Sequence, residues 1–304
     1  MRLRLYENYR FVLYAPFYAA HATGAYEAEG LEVELLPSPG PGKAEAALVT
    51  GDADAMWMGP IRIMKAHERD PQSPIVAFAE VVSRDPFSLV GATPNPEFAL
   101  PDLLGKRFAS VSEVPTPWLC LEGDLRAAGI DPARLERTLG RTMPQNVAGL
   151  AGGELDVAQL FEPFVELAVR DGRHVWQPAS ARGRTAYTVF AATRQRLAAD
   201  PEPYRRMVRA MHKTQHWVAA HSPDDLAAAI AGYFPALDRG VLTAALTRYK
   251  RQGVWAADPV PSEEGFNRLQ RALLSAGFLS LAVPFADCTE DRLAVAAVAE
   301  RQPS

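Results

Sequence analysis

The sequence is poor in cysteine, in clustered basic charge and in long apolar runs, and each shortage excludes a class of protein. Its only cysteines, Cys120 and Cys288, lie far apart and outside any C-x-x-C spacing, which argues against a zinc site, a redox pair or a disulfide. The net charge is -4, from 32 Lys plus Arg against 36 Asp plus Glu. Because no basic block is present, nucleic acid is not an expected partner.

The apolar segments are short. The longest, FVLYAPFYAA at residues 11–20, is interrupted by a proline, so no transmembrane helix is expected. The first residues, MRLRLYENYR, lack the basic, apolar and small-residue layout of a secretory leader. We therefore expect a cytoplasmic protein if the sequence as written is complete, and a periplasmic or cell-surface protein if a leader has been removed.

What is present is an alternation of strands and helices, typical of α/β proteins whose sheets are covered by helices on both faces. The 304 residues are enough for about two domains. Predicted strands lie at 2–7, 31–37, within 51–60, and at 74–82, 107–111, 156–161, 175–180 and 187–193. Predicted helices lie at 15–28, 43–49, 61–70, 116–128 and 144–151, with a short helix from Pro101, a turn at 38–42, and helices almost throughout from Pro201 onward.

This pattern predicts two lobes, each with a mainly parallel sheet flanked by helices. Residues 1–86 and 190–304 form the first lobe and residues 87–189 the second, with hinge crossings near 84–94 and 184–194. Open parallel sheets bind ligands at the carboxyl ends of their strands. GDADAMWMGP (51–60) and GELDVAQLFEP (153–163) each end a strand at a proline. We expect both prolines to start helices whose free N–H groups face a cleft between the lobes.

Four stretches carry a family resemblance: YAPFYAAHATGAYEAEGLEVELLP, GDADA, LPDLLGKRFA and GELDVAQLFEP. They resemble solute-binding proteins of sulfonate, taurine, nitrate and thiamine-pyrimidine ABC importers, a group to which the fungal thiamine pyrimidine synthase is similar. The resemblance covers residues 1–220. It implies a two-lobe periplasmic-binding-protein type 2 fold that closes on a small organic molecule, with an ABC permease as partner.

The same resemblance leaves an enzyme as the alternative, a cytosolic protein of the synthase or desulfinase type. Where the synthase has its cofactor lysine and its sacrificial histidine, this chain has Met58 and Arg62. Methionine forms no Schiff base with pyridoxal phosphate, so no cofactor is expected. The first cleft loop has no cysteine of the desulfinase type, which leaves Cys120 as the only thiol to consider as a nucleophile.

The candidate ligand-binding residues combine aromatic rings with a few polar groups near the predicted strand ends. Flat aromatic walls suit a planar or aromatic ligand, whereas Phe11 and Phe17 are expected in the core. Arg62 offers its guanidinium to an anion, Arg84 either does so or pairs with Asp85 or Asp54, and a carboxylate ending an apolar strand needs a polar partner. The candidates are Tyr14, Trp57, Gly59, Arg62, Arg84, Thr116 (also the predicted N-cap of its helix), Trp118, Glu162 and Tyr187.

Glu162 and the two histidines His212 and His216 each allow two interpretations. Glu162 either accepts from a ligand or closes the hinge with an arginine of the other lobe. His212 and His216, four residues apart, share one helix face but lack an H-E-x-x-H pattern, so we expect solvated histidines and no metal. The sequence therefore predicts a binding protein without catalytic residues, metal or cofactor.

Overall fold

The computed structural model describes residues 1–40 and 42–300 of the chain. Residue 41 of the predicted turn and residues 301–304 lie outside this part. The strands found are β1 (Arg2–Tyr6), β2 (Glu32–Leu36), β3 (Ala55–Met58), β4 (Ile75–Val82), β5 (Ser88–Gly91), β6 (Arg107–Ala109), β7 (Glu136–Thr138), β8 (Val157–Leu160), β9 (His174–Pro178) and β10 (Thr188–Thr193).

Helices are interspersed with the strands as far as β10, and every later element in the described residues is a helix. They are α1 (Ala15–Ala22), α2 (Ala25–Ala28), α3 (Lys43–Thr50), α4 (Pro60–Arg69), α5 (Thr116–Ala127), α6 (Met143–Ala151), α7 (Phe164–Arg170), α8 (Arg194–Ala199), α9 (Pro201–Ala220), α10 (Pro223–Ile230), α11 (Arg239–Gln252), α12 (Glu263–Ser275), α13 (Phe285–Cys288) and α14 (Arg292–Ala299). Short 3-10 helices occupy Val12–Tyr14, Leu100–Leu103, Pro132–Arg134, Ala179–Arg182 and Ala231–Tyr233.

The strands form two five-stranded sheets with the same plan, ordered β2-β1-β3-β10-β4 and β7-β6-β8-β5-β9. The predicted α/β fold class is confirmed. Both sheets are mixed: β1, β2 and β3 pair in parallel, as do β6, β7 and β8, whereas β10 and β5 run antiparallel to both of their neighbours.

The reversed strands follow from the route of the chain. After β4 the chain leaves the first sheet at its carboxyl edge and enters the second at the same kind of edge, so β5 must run backwards. The return from β9 into β10 repeats this. The crossings are therefore shorter than the predicted 84–94 and 184–194, because β5 and β10 lie inside those ranges. This route also brings the two carboxyl edges towards each other.

Local chemistry explains where several elements start and stop. The sequence IVAFAEVV of β4 is rich in β-branched residues and is buried throughout, as expected for a strand covered on both faces. Pro60 occupies the first turn of α4, where its missing N–H costs no hydrogen bond. Gly51 ends α3 with a φ of 87°, a left-handed conformation that glycine adopts without strain.

Three helix predictions were wrong in detail. The helix expected over 15–28 is broken, because Gly24 adopts a φ of 72° between α1 and α2. Thr116 is not the N-cap of α5: Pro115 holds that position, and no side chain caps the helix. Pro163, expected in the first turn of a helix, instead precedes α7.

The helices from α9 onward cover both sheets. Helix α9 packs against α1, α2 and α14, whereas α12 contacts α4 beside the first sheet and α5 beside the second. Helix α11 contacts α7 of the second sheet as well as α10, which lies on α1. The C-terminal helices therefore connect the two lobes. No helix within the described residues is long and apolar enough to cross a membrane.

Candidate functional site

The carboxyl edges of the two sheets meet through aromatic side chains. Phe11, in the loop after β1, and Phe161, directly after β8, have ring centroids 4.8 Å apart in an edge-to-face arrangement. Phe87, on the first crossing, lies 4.8 Å from the same Phe161 ring. Phe11 and Phe161 follow strands at the carboxyl edges of their sheets, and Phe87 precedes the reversed strand β5, so these contacts join the two carboxyl edges.

A buried polar group lies on the first-lobe side of this region. We call Asn8, Tyr14, Arg62 and Tyr187 the tyrosine–arginine cluster. Asn8 Nδ2 donates to the Tyr14 hydroxyl at 3.2 Å, and Arg62 Nη1 donates to Asn8 Oδ1 at 3.2 Å. Burial raises the pKa of Tyr14 to about 12, so its hydroxyl stays protonated and can donate a hydrogen bond.

Arg62 is neither a solvated helix residue nor an unpaired cation. Its side chain is 24% exposed and forms an ion pair with Glu45 of α3. A ligand anion at Arg62 must therefore share the guanidinium with Glu45. Sequence reasoning missed both Asn8 and Glu45, although the position of Asn8 directly after β1 is the kind of signal that marks a residue at a carboxyl edge.

Tyr187 completes the cluster from the second crossing. It is 9% exposed, and its hydroxyl has no hydrogen-bond partner among the described residues. Burial raises the pKa of Tyr187 well above the usual tyrosine value. Gly59 lies beside Tyr187: a Cβ there would lie 3.6 Å from the Tyr187 carbonyl oxygen, an ordinary contact distance, and 3.3 Å from Ile61 Cγ2.

Trp57 is part of the core and packs against the Tyr14 ring of the cluster. It is fully buried, stacked on Phe17 at 4.5 Å and 5.8 Å from the Tyr14 ring. The expectation that Phe17 belongs to the core is confirmed, whereas Phe11 is only half-buried. The Trp57 indole N–H has no partner in the described part of the chain. The structure thus brings together five of the nine candidates: Tyr14, Trp57, Gly59, Arg62 and Tyr187.

A second polar group, in the loop after β1, was also not predicted from the sequence. Glu7, 3% exposed, accepts a hydrogen bond from the Tyr18 hydroxyl at 2.8 Å and one from Arg10 Nη2 at 2.5 Å. The half-exposed Arg10 keeps this buried carboxylate compensated. The motif ENYR therefore contributes both a fixed carboxylate and the amide of the tyrosine–arginine cluster.

Glu162 is committed to an ion pair between the lobes. Its carboxylate is 1% exposed, pairs with Arg248 of α11, and accepts the Glu166 N–H at 3.0 Å. The Tyr249 hydroxyl accepts the Glu162 N–H at 2.9 Å. The structure thus favours the reading in which Glu162 joins an arginine of the other lobe, and the N–H of Glu166 is not free for a ligand.

Burial raises the pKa of Glu162, and Arg248 opposes that shift. Arg248 also pairs with Glu166 at 2.8 Å, and Glu166 with Arg170 at 2.8 Å. The result is a chain of alternating charges that holds α7 to α11.

The three remaining candidates lie apart from the cluster. Arg84 donates to the Ser180 carbonyl at 3.3 Å. Its expected partners are taken, since Asp85 pairs with Arg182, and Asp54 with Arg4 and Arg196.

Trp118 packs on Phe108, 5.9 Å away, beneath the Arg137 guanidinium at 3.8 Å. Thr116 is buried in the first turn of α5.

Neither thiol has the environment of a nucleophile. Both cysteines are free and buried, and burial raises the pKa of Cys120 and of Cys288 to about 12. A thiol needs a lowered pKa to react as thiolate at neutral pH.

The two histidines differ from the expectation that they are solvated: His212 is buried, and its Nε2 lies 2.9 Å from that of His216. Within the described residues, no group of three or more metal-ligating side chains was found.

Comparisons with known proteins agree with this architecture. The family described as "NMT1/THI5 like" matches residues 13–225. The "Putative binding protein YtlA" of Bacillus subtilis (strain 168) is 26% identical over 293 residues, covering 95% of this chain and 88% of that protein.

Among solved structures, the periplasmic aliphatic sulphonate binding protein SsuA of Escherichia coli superposes with a TM-score of 0.77 at 17% identity, covering 95% of this chain and 97% of SsuA. The desulfurization enzyme DSZB superposes with a TM-score of 0.70 at 14% identity, covering 98% and 99%. At these identities the superpositions establish the shared fold.

Proposed function

The chain belongs to the NMT1/THI5-like family, and from that premise we propose that it is a solute-binding protein that captures a small, planar or aromatic organic molecule between its lobes. The observation that carries the proposal is the tyrosine–arginine cluster. It lies where the two carboxyl edges meet, and it contains the Tyr187 hydroxyl, which is buried without a partner in the described part of the chain. A buried polar group without a partner is costly, so a ligand acceptor at this hydroxyl stabilises the complex.

The lobes in this proposal comprise residues 1–86 with 190–304, and residues 87–189. The sheets support the division, with one adjustment: Thr188 pairs with Val82 of the first sheet, which moves the second boundary to 187. Ligand contacts from both lobes exist only when the lobes are closed, so binding shifts the open and closed equilibrium towards the closed state. Arg62, in the tyrosine–arginine cluster, is the proposed partner for an anionic group on the ligand, and it shares its guanidinium with Glu45.

Delivery to an ABC permease, outside the cytoplasm, is part of the same proposal. It is supported by two similar proteins, one named as a putative binding protein of Bacillus subtilis and one a periplasmic sulphonate-binding protein of Escherichia coli. A role as an enzyme of the desulfinase type is disfavoured, because the thiol of Cys120 is buried and its pKa is raised to about 12.

The test starts with thermal unfolding of the protein against pyrimidines, aromatic carboxylates, sulfonates and taurine. A ligand at 100 times its dissociation constant adds about 2.7 kcal/mol, which raises the midpoint by a few degrees. We expect the planar or aromatic compounds to give the largest rise. A rise confined to taurine contradicts the aromatic part of the proposal. The absence of a rise with every compound contradicts capture of a ligand from these four classes.

Calorimetry of two variants then locates the site. Tyr187→Phe is expected to weaken binding about five-fold, the effect of one neutral hydrogen bond. Tyr26→Phe is the matched control, because Tyr26 of α2 lies in the core and its buried hydroxyl also has no partner among residues 1–40 and 42–300. Equal affinity of both variants and the wild type would remove Tyr187 from the site.

A further inference from the structure

A pocket lies in the second lobe, beside the two crossings. It encloses about 400 Å³ between the second sheet and α5, within the usual size of small-molecule sites. Phe87 of the first crossing and Ala179 and Arg182 of the second form part of its wall. The exposed Ala127 and Ala128, at the end of α5, stand at its open side.

The register of the sheet builds the floor of this cavity. Leu89 of β5 is paired with Gln159 of β8 on one side and with Gln177 of β9 on the other. Directly paired residues point to the same face of a sheet, so these three side chains form a row across three strands. An apolar side chain flanked by two carboxamides suits a ligand with an apolar body and a polar end.

Gln159 has an unused hydrogen-bond acceptor. The residue is 4% exposed, and its Nε2 donates to the Pro117 carbonyl at 2.9 Å. That contact fixes the orientation of the amide, because only the nitrogen can donate to a carbonyl. Its Oε1 is buried and has no partner among the described residues. A buried acceptor of this kind is normally satisfied by a donor.

The charged groups of the wall compensate one another. Arg182 Nε donates to Asp124 Oδ2 at 3.0 Å, and Arg182 Nη1 donates to Asp85 Oδ2 at 2.6 Å. The guanidinium is therefore committed to two carboxylates, and the cavity has no unpaired cation or anion from this group. An uncharged ligand fits such a wall, whereas a charged one would have to break a buried ion pair.

From the row of Gln159, Leu89 and Gln177 beneath α5, we infer that this cavity is a second binding site, for a small uncharged molecule with an apolar body and an N–H or O–H donor. The donor bonds to Gln159 Oε1, and the apolar body packs on Leu89 and Leu121. The site is independent of the ligand proposed for the space between the lobes.

Two probes of the same shape test the inference: N-methylbenzamide, which offers an N–H, and methyl benzoate, which has an oxygen in its place. Each is titrated into the isotope-labelled full chain up to 20 millimolar while backbone amide resonances are followed by NMR. We expect N-methylbenzamide to shift the resonances of Leu89, Gln159 and Gln177, and to bind about five-fold more tightly than methyl benzoate.

Three variants control the result. Ala127→Trp, at the mouth, is expected to abolish the shifts, while Ala299→Trp, a matched exposed helix position in α14, leaves them unchanged. Gln159→Leu is expected to make the two probes bind equally. The inference is overturned by equal binding of both probes to the wild type, by shifts that survive Ala127→Trp, or by no shift at all with N-methylbenzamide.

Discussion

Removing Arg248 tests the ion pair between the lobes. Arg248→Met keeps most of the side-chain volume but leaves the Glu162 carboxylate, 1% exposed, without its cation. Breaking a buried ion pair on one side costs about 3–5 kcal/mol. For a chain of this size that corresponds to a fall in the thermal midpoint on the order of 5–10 °C.

The double variant separates the pair from the packing of Arg248. In Arg248→Met with Glu162→Gln, the unpaired charge at position 162 is removed, Glu166 keeps its ion pair with Arg170, and the glutamine oxygen still accepts the Glu166 N–H. We expect the double variant to recover most of the lost stability, as measured by urea unfolding followed by tryptophan fluorescence. Equal stability of the single and double variants would refute the reasoning.

The loss should also depend on pH. Burial already raises the pKa of Glu162 in the folded protein, and loss of Arg248 raises it further. A carboxyl with a raised folded pKa is bound to its proton more tightly in the folded state. The deficit of Arg248→Met should therefore shrink as the pH falls towards the unfolded value of about 4.3, and grow as the pH rises through the folded pKa.

Three further predictions follow from buried groups. Burial raises the pKa of Glu80 to about 7. Its contribution to stability, present below about pH 4.3, should therefore be lost as the pH rises through 7. The free energy of unfolding measured from pH 4 to 8 should show this fall in the wild type and a flatter profile in Glu80→Gln. Cys120 and Cys288 should resist iodoacetamide at pH 8 in the native state and react in urea; rapid native labelling at either would contradict the raised thiol pKa values. Trp57→Ala, which empties the centre of the core, should cost about 3–5 kcal/mol in urea unfolding; a loss below about 1 kcal/mol would show that Trp57 is not packed as described.

Elements with strong periodicity were predictable from the sequence. The apolar run of β4, the strand before Gly59-Pro60 and the helices beyond Pro201 all occur as expected. The reversal of β5 and β10 was not predictable from residue patterns, because it depends on the route by which the chain enters each sheet. The break at Gly24 was missed because the apolar positions of α1 and α2 continue with helical spacing across it.

Long-range partners were the other limit. Glu162 gave a clear signal as a carboxylate ending an apolar strand, yet its partner Arg248 lies 86 residues further along the chain. Arg62 likewise meets Glu45 and Asn8 from two other elements. Local sequence identifies a side chain that needs a partner, but only the packing of helices from both lobes decides which partner it obtains.

Closure of the lobes on a captured molecule is the central claim, and small-angle X-ray scattering tests it most directly. The radius of gyration is measured without ligand and at saturation with the compound class that raises the thermal midpoint. We expect a smaller radius of gyration in the complex, because ligand contacts from both lobes stabilise the closed state. Identical scattering with and without saturating ligand would contradict the claim.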